Sequence, residues 1–244
     1  MSSPALSAVP RHRTLHRHVI DSLGAEIASG RIAPGATLPP EPLLCASLQV
    51  SRGALREAVK ALAAKGMLEL RPRTGTRVLP RDRWNLLDPD ILGWLREHDP
   101  ASLIAHLTEV RTLLEPGAAA LAAERADADD ARELLEASAA MQRAADAGDA
   151  EGFTRADLDF HRLLLRITRN PLLASLSSPL SIALHTSFET TSAARGAVDD
   201  TLPLHRHLAE AVAAGDARAA GERMRDILGA AGRHLEQVRT EESS

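Results

Sequence analysis

The sequence predicts a mainly α protein: an N-terminal winged helix-turn-helix followed by an all-α bundle of six or seven helices. Three observations carry this. Apolar residues recur at helical spacing in almost every segment. Aromatic content is only 2% while alanine and leucine dominate. Strand-like text is confined to Leu68 to Arg71 and Thr76 to Leu79, enough for one hairpin. The 244 residues are enough for two domains of ordinary size, and 44% hydrophobic with 25% charged residues marks a globular chain rather than a disordered one. The boundaries expected are a head over 12–80, a linker with its helix over 81–98 and a helical body over 99–238.

The head can be justified element by element. Leu15, Val19, Leu23 and Ile27 are spaced four apart and make an amphipathic helix that Gly30 stops. RIAPGATLPP is turn and extended chain, because Pro-Gly and Pro-Pro cannot continue a helix. A short second helix runs from Pro40 to Leu48, and Gln49 and Val50 make the tight turn after it. The third helix has both ends marked: Ser51 is a suitable N-cap and Gly66 a suitable left-handed terminator. Its Leu55, Val59 and Leu62 form a stripe to bury, while Arg52 and Arg56 share another face near its start. The two short strands then flank Arg73, Thr74 and Gly75 as a wing, with Arg71, Arg73 and Arg77 on or beside it.

Charge is distributed to match. Met1 to Pro80 holds 11 Lys and Arg against 5 Asp and Glu, a balance of +6; the remainder holds 18 against 28, a balance of −10. A basic head on an acidic body suits a polyanion partner, and exposed arginines on a helix suit the major groove of double-stranded DNA. Cys45 is the single cysteine, which excludes an internal disulfide and a cysteine-based zinc finger. No apolar run reaches about 18 residues, so no transmembrane helix or membrane partner is expected. The N-terminal text carries no signal-peptide apolar segment, which points to the cytoplasm.

In the body, Arg81 to Pro89 reads as linker and leads into a helix from Asp90. Trp84 and Trp94 read as anchors between linker and body. Helices then follow from Asp99-Pro100, with breaks near Asp127, Gly148, Asn170-Pro171, Gly196 and Gly215, and a frayed tail from Glu236. Asp157 and His161 are four apart and share one helix face amid Leu158, Phe160, Leu163, Leu164 and Ile167. His205 can add a third group from a later helix. Three such groups can bind a divalent cation such as Zn or Ni, or hold a polar effector by hydrogen bonds alone; residue types leave both open. Arg111 sits on an apolar helix and either meets an anionic ligand or pairs internally with Glu109, Glu115 or Asp157. His185 is a further candidate for the pocket lining.

The head resembles the DNA-binding domain of the GntR family of bacterial transcription regulators. The matching text is Pro34-Gly35, Leu38-Pro39-x-Glu41, Val50-Ser51-Arg52, Arg56-Glu57-Ala58, Leu62, Gly66-Met67-Leu68 and Gly75. The resemblance implies that Ser51, Arg52 and Arg56 contact DNA and that the wing tip near Arg73 and Gly75 reaches the minor groove. Family members commonly carry arginine after the glutamate of the second helix; here that position is Pro42, and the contact is lost. The body is similar to the FCD effector domain of the FadR-like subfamily. There the matching text is Glu109-x-Arg111, Glu115-Pro116, Ala122 to Ala126, Asp157-x-x-Phe160-His161, Asn170-Pro171-Leu172, His205 and Gly215-Asp216.

Metal-binding members of that subfamily add one more C-terminal histidine, whose place falls here on Ile227. WNLLDPDILGW and Glu109-x-Arg111 look most like regulators of sugar-acid operons of the galactonate type. The resemblance implies a homodimeric repressor on a pseudo-palindromic operator, answering to a small carboxylate such as galactonate or gluconate. The alternatives are a regulator of lactate, dicarboxylate or fatty-acid metabolism, and a metal-dependent enzyme. No activated nucleophile or acid/base pair supports the enzyme.

Overall fold

The structure, a computed structural model, describes residues 11–71, 75–182, 185 and 197–242. They form two compact units that divide between Asp99 and Pro100. No helix among the described residues is long and apolar enough to cross a membrane.

In the first unit α1 (Arg11–Ala28) buries Val19, Leu23 and Ile27. The second helix, α2 (Glu41–Leu48), begins one residue later than expected. Pro40 stands at the N-cap without a side-chain bond, and Pro42 occupies the first turn, where a missing N–H costs nothing. Gln49 ends α2 in the left-handed region at φ 53° and donates its N–H to the carbonyl of Cys45. That conformation is unusual for a residue with a side chain and keeps the turn into the next helix to three residues, Gln49 to Ser51.

The third helix, α3 (Arg52–Ala64), starts where Ser51 Oγ accepts from the Ala54 N–H at 3.2 Å. Leu55, Ala58, Val59 and Leu62 are buried along its inner face. Gly66 follows at φ +78°, and a Cβ there would overlap the backbone carbonyl of Arg83, so only glycine fits.

The wing is the antiparallel pair β1 (Leu68–Arg71) and β2 (Gly75–Val78), in register from Leu68 against Val78 to Arg71 against Gly75. The second strand is thus displaced by one residue from Thr76–Leu79. Thr37 bridges to Arg77, so the segment before α2 extends the wing. Arg73 lies outside the described residues.

The stretch expected to be linker carries much of the head's core. A 3₁₀ turn (Arg81–Arg83) leads to α4 (Pro89–His98), capped by Asp88. Trp84 donates its indole N–H to the carbonyl of Leu79 at 2.9 Å, and Trp84, Ile91 and Trp94 are buried with Val19, Leu62 and Met67. The tryptophans therefore close the head rather than anchor a linker to the body. Gly24 makes the room: any Cβ there would overlap the ring of Trp94.

Charges fasten the same joint. Lys65, at the C-cap of α3, donates to both oxygens of Asp88 at 2.7 Å and lies 2.8 Å from Asp90 Oδ2, while Arg17 of α1 donates to Asp90 Oδ1 at 2.7 Å.

The second unit is helical throughout the described residues. It comprises α5 (Pro100–Arg125), α6 (Ala128–Asp146), α7 (Ala150–Ile167), α8 (Pro171–Ser175), a helical stretch 177–182, a penultimate helix Ala197–Ala213 and a last helix Ala217–Glu242. Asp127 and Asp130 form a capping box at the start of α6, and Gly215 at φ +70° separates the last two helices.

Two expectations are corrected. The helix expected to run unbroken from Asn170 to Arg195 breaks at Leu176, because Pro179 has no N–H for the carbonyl of Ser175. The tail expected to fray from Glu236 stays helical to Glu242. The last helix packs on α5 and on the penultimate helix, and α6 packs on α7 and the penultimate helix. Their shared core includes Leu134, Met141, Phe160, Leu164, Leu208, Met224 and Ile227.

The ion cluster behind α4 has a definite pH window. Burial alone would raise Asp90, but Lys65 and Arg17 outweigh it and hold the carboxyl below its ordinary 3.8; burial alone would lower Lys65, but Asp88 and Asp90 hold it above 10.5. The cluster therefore stabilises fully between about pH 4 and 10 and is lost as pH falls below 3.8 or rises above 10.5. Asp90→Asn should cost the head about 1.5 kcal/mol at pH 7, the scale of hydrogen bonds to charged groups. In urea unfolding at pH 3 the gap between wild type and variant should be smaller than at pH 7. An equal gap at both pH values would contradict this origin.

Candidate functional site: a reading helix and a buried polar cluster

The exposed face of α3 presents Arg52, Arg56 and Lys60 at four-residue spacing, about 6 Å apart by helical rise. The arginine side chains are 72% and 66% exposed. Their Nε atoms turn toward Glu41 at the start of α2, at 4.0 Å from Oε1 and 3.1 Å from Oε2 respectively. The Ser51 hydroxyl is engaged in capping, which places the first turn of α3. Arg71, on the wing, lies 2.7 Å from Glu69 through Nε and is exposed. Gly75 has φ +92°, and its absent Cβ would sit 3.1 Å from the methyl of Thr37.

Between α3 and the wing is a cleft of about 380 Å³. Leu38, Leu44, Leu55 and Val59 line it, together with Glu41, Arg56 and Lys60. Lys60 was missed from sequence, although its spacing from Arg52 and Arg56 was the signal. A helix of this width with cations on one face fits a major groove about 12 Å across.

The second site is buried in the body. On α5, Arg111 donates from Nε to Glu115 Oε1 at 2.7 Å and from a terminal nitrogen to Oε2 at 3.4 Å, with both residues almost wholly enclosed. Glu115 Oε2 also lies 3.1 Å from His161 Nδ1 on α7. One turn earlier, Asp157 Oδ1 lies 3.7 Å from His161 Nε2 and 3.1 Å from His205 Nε2 on the penultimate helix. Phe160 sets its ring edge-on to both imidazoles, with centroids 5.9 and 5.2 Å away.

The electrostatics follow from enclosure. Burial pushes Glu115 up, but Arg111 and His161 outweigh it and hold its carboxyl at about 2. Burial likewise pushes Asp157 up, and His205, His161 and Arg111 bring it below its ordinary value.

The imidazoles are placed but not satisfied. His205 Nδ1 is 2.9 Å from the Thr201 carbonyl, which only accepts, so Nδ1 carries the proton. In the neutral ring Nε2 is then a lone pair facing the Asp157 carboxylate. That nitrogen and both nitrogens of His161 are buried and make no hydrogen bond, although His205 Nε2 and His161 Nδ1 each lie 3.1 Å from a carboxylate oxygen. Ligand atoms of Asp157, His161 and His205 all lie within 4.8 Å of one another. Orphaned ring nitrogens converging with a carboxylate are the donor set a divalent cation takes, so the residues fit a metal.

Of the residues singled out from sequence, Asp157, His161 and His205 come together, and Arg111 joins them through Glu115. The internal salt bridge considered for Arg111 is present, with Glu115 as partner. His185 is half-buried and is not among the converging ligand atoms. Ile227 is buried in the apolar core. From the sequence Glu115 is one salt-bridge option for Arg111 and part of the FCD-like text; its four-residue spacing from Arg111 is the signal for the pair.

Comparison with known proteins agrees with this geometry. Residues 15–78 match the bacterial regulatory proteins of the gntR family, and residues 106–230 match the FCD domain. The galactonate operon transcriptional repressor of Escherichia coli is 35% identical over 90% of this chain and 96% of its own. A probable D-xylose utilization operon repressor of Paenarthrobacter nicotinovorans is 32% identical over 83% and 80%. The solved structure of a Streptococcus agalactiae GntR protein superposes with a TM-score of 0.53 at 28% identity, covering 89% of this chain and 99% of that one. The chain thus belongs to the GntR family of bacterial transcription regulators, a DNA-binding regulator with an FCD domain rather than an enzyme.

Proposed function

We propose that the chain is a homodimeric repressor of a sugar-acid operon, released from its operator when a small hydroxy-carboxylate binds beside Arg111, Asp157, His161 and His205. The observation that carries the reading is the composition of the buried cluster. With both imidazoles neutral, as metal ligation requires, Arg111, Glu115 and Asp157 bring one positive and two negative formal charges into an enclosed part of the core. An added carboxylate would deepen that imbalance, and uncompensated buried charge is costly. Asp157, His161 and His205 would therefore hold a divalent cation, which supplies the balancing charge and open positions for carboxylate and hydroxyl oxygens. Arg111 keeps guanidinium donors beyond those given to Glu115 and can orient the anion. The galactonate repressor's likeness over nearly its whole length favours an aldonate.

In the head, Ser51, Arg52, Arg56, Arg71 and Gly75 are the DNA-facing set, with Arg52 and Arg56 reading bases and Arg71 meeting the backbone. Two heads related by a dimer axis would require a two-fold operator. An effector acts only through unequal affinity for the DNA-bound and free placements of the heads.

The test uses a duplex selected by the protein from a random-sequence library. Galactonate should weaken binding to it. Arg52→Ala should lose about 1–3 kcal/mol of operator affinity while keeping the effector response of the body. Operator binding indifferent to galactonate and to other aldonates would overturn the sugar-acid reading; tight binding by Arg52→Ala would overturn the reading helix.

Glu115→Ala leaves Arg111 buried without its partner and should destabilise the body by about 3–5 kcal/mol. Adding Arg111→Met should restore part of the loss. Wild-type stability for Glu115→Ala would show that buried Arg111 does not depend on Glu115 as its partner.

A further inference from the structure

Glu41 has no part in the functional reading above, yet it is the acid placed against both reading arginines. It is the first residue of α2 and remains partly exposed. One oxygen accepts from Arg56 Nε at 3.1 Å and the other lies 4.0 Å from Arg52 Nε. The next residue, Pro42, has no charge, so α2 offers no cation of its own to take this carboxylate. An acid beside two phosphate-seeking arginines subtracts from attraction to any DNA, whatever its sequence. Its position on the Nε side has the opposite consequence for base reading. It engages Arg56 through Nε rather than through a terminal nitrogen, on a side chain that stays 66% exposed. The terminal nitrogens are the donors that pair with guanine O6 and N7.

We infer that Glu41 is a positioning residue for DNA specificity: by holding Arg56 and, more loosely, Arg52 through their Nε edges, it favours paired contact with guanine over sequence-independent phosphate binding. The inference rests on the DNA-reading assignment of α3 and is independent of any effector. The size of the effect is bounded by physics. A unit charge pair about 4 Å apart near water is worth about 1 kcal/mol, which is about fivefold in an equilibrium constant.

The test measures full-length Glu41→Gln, which keeps the shape and the start of α2, against the selected operator duplex and an unrelated duplex of equal length across a salt series. The variant should bind the unrelated duplex more tightly, by about fivefold, and the ratio of the two affinities should fall by at least that factor. In an Arg56→Ala background the same change should have a much smaller effect on the ratio. A purely structural role would lower the melting temperature and both affinities together; an unchanged or increased ratio with normal melting would equally overturn the inference. If neither Arg56→Ala nor Arg52→Ala alters operator binding, the reading-helix assignment itself has failed, a result distinct from failure at Glu41.

Discussion

A carboxylate, Asp157, faces two imidazoles in the largely enclosed interior of the body, and the arrangement of the body follows from that constraint. Charged groups in such a place must be paired, coordinated or neutralised. Arg111 and Glu115 pair with each other along one face of α5, and Glu115 reaches across to α7 at His161. His205 brings the penultimate helix to the same point. Three helices are thereby held by one polar cluster inside an otherwise apolar core of Leu, Met and Phe. The cluster is incomplete by its own chemistry, since ring nitrogens converge on a carboxylate without hydrogen bonds.

The head is organised by a different rule, in which apolar closure and charge act on the same joint. Trp84, Ile91 and Trp94 share one core with buried residues of α1 and α3, and Lys65 and Arg17 hold the start of α4 through Asp88 and Asp90. Because Lys65 is the C-cap of α3, α4 is tied directly to the helix proposed to meet DNA. Rotation of α4 alone would strip Ile91 and Trp94 from the core and pull Asp90 away from Lys65 and Arg17. The head and α4 therefore behave as one piece.

Much of this was legible in the sequence because it depends on local rules. Ser51 and Gly66 marked both ends of α3, and a four-residue spacing placed Asp157 with His161 and Arg52 with Arg56. What was hidden depends on tertiary contact. Nothing in the text of Trp84 and Trp94 says which domain they fill; that was decided by the missing Cβ of Gly24 and the position of Leu79. Glu115 stood in plain view beside Pro116, but its double engagement with Arg111 and His161 requires α5 and α7 to be packed together. Glu41 is separated from Arg56 by fifteen residues, and only the tight turn at Gln49 brings them into contact. The break at Leu176 was missed because apolar periodicity continues across Pro179.

The central claim is that the buried cluster binds cation and carboxylate as a balanced set. Calorimetric titration of galactonate into metal-stripped protein, repeated with Zn²⁺ present, tests it most directly. Negligible binding without the cation and binding at least a hundredfold tighter with it, a coupling of about 2.7 kcal/mol, is the result expected. Equal affinity in both titrations would show that protein groups alone hold the anion and would contradict the charge-balance reading of Asp157, His161 and His205.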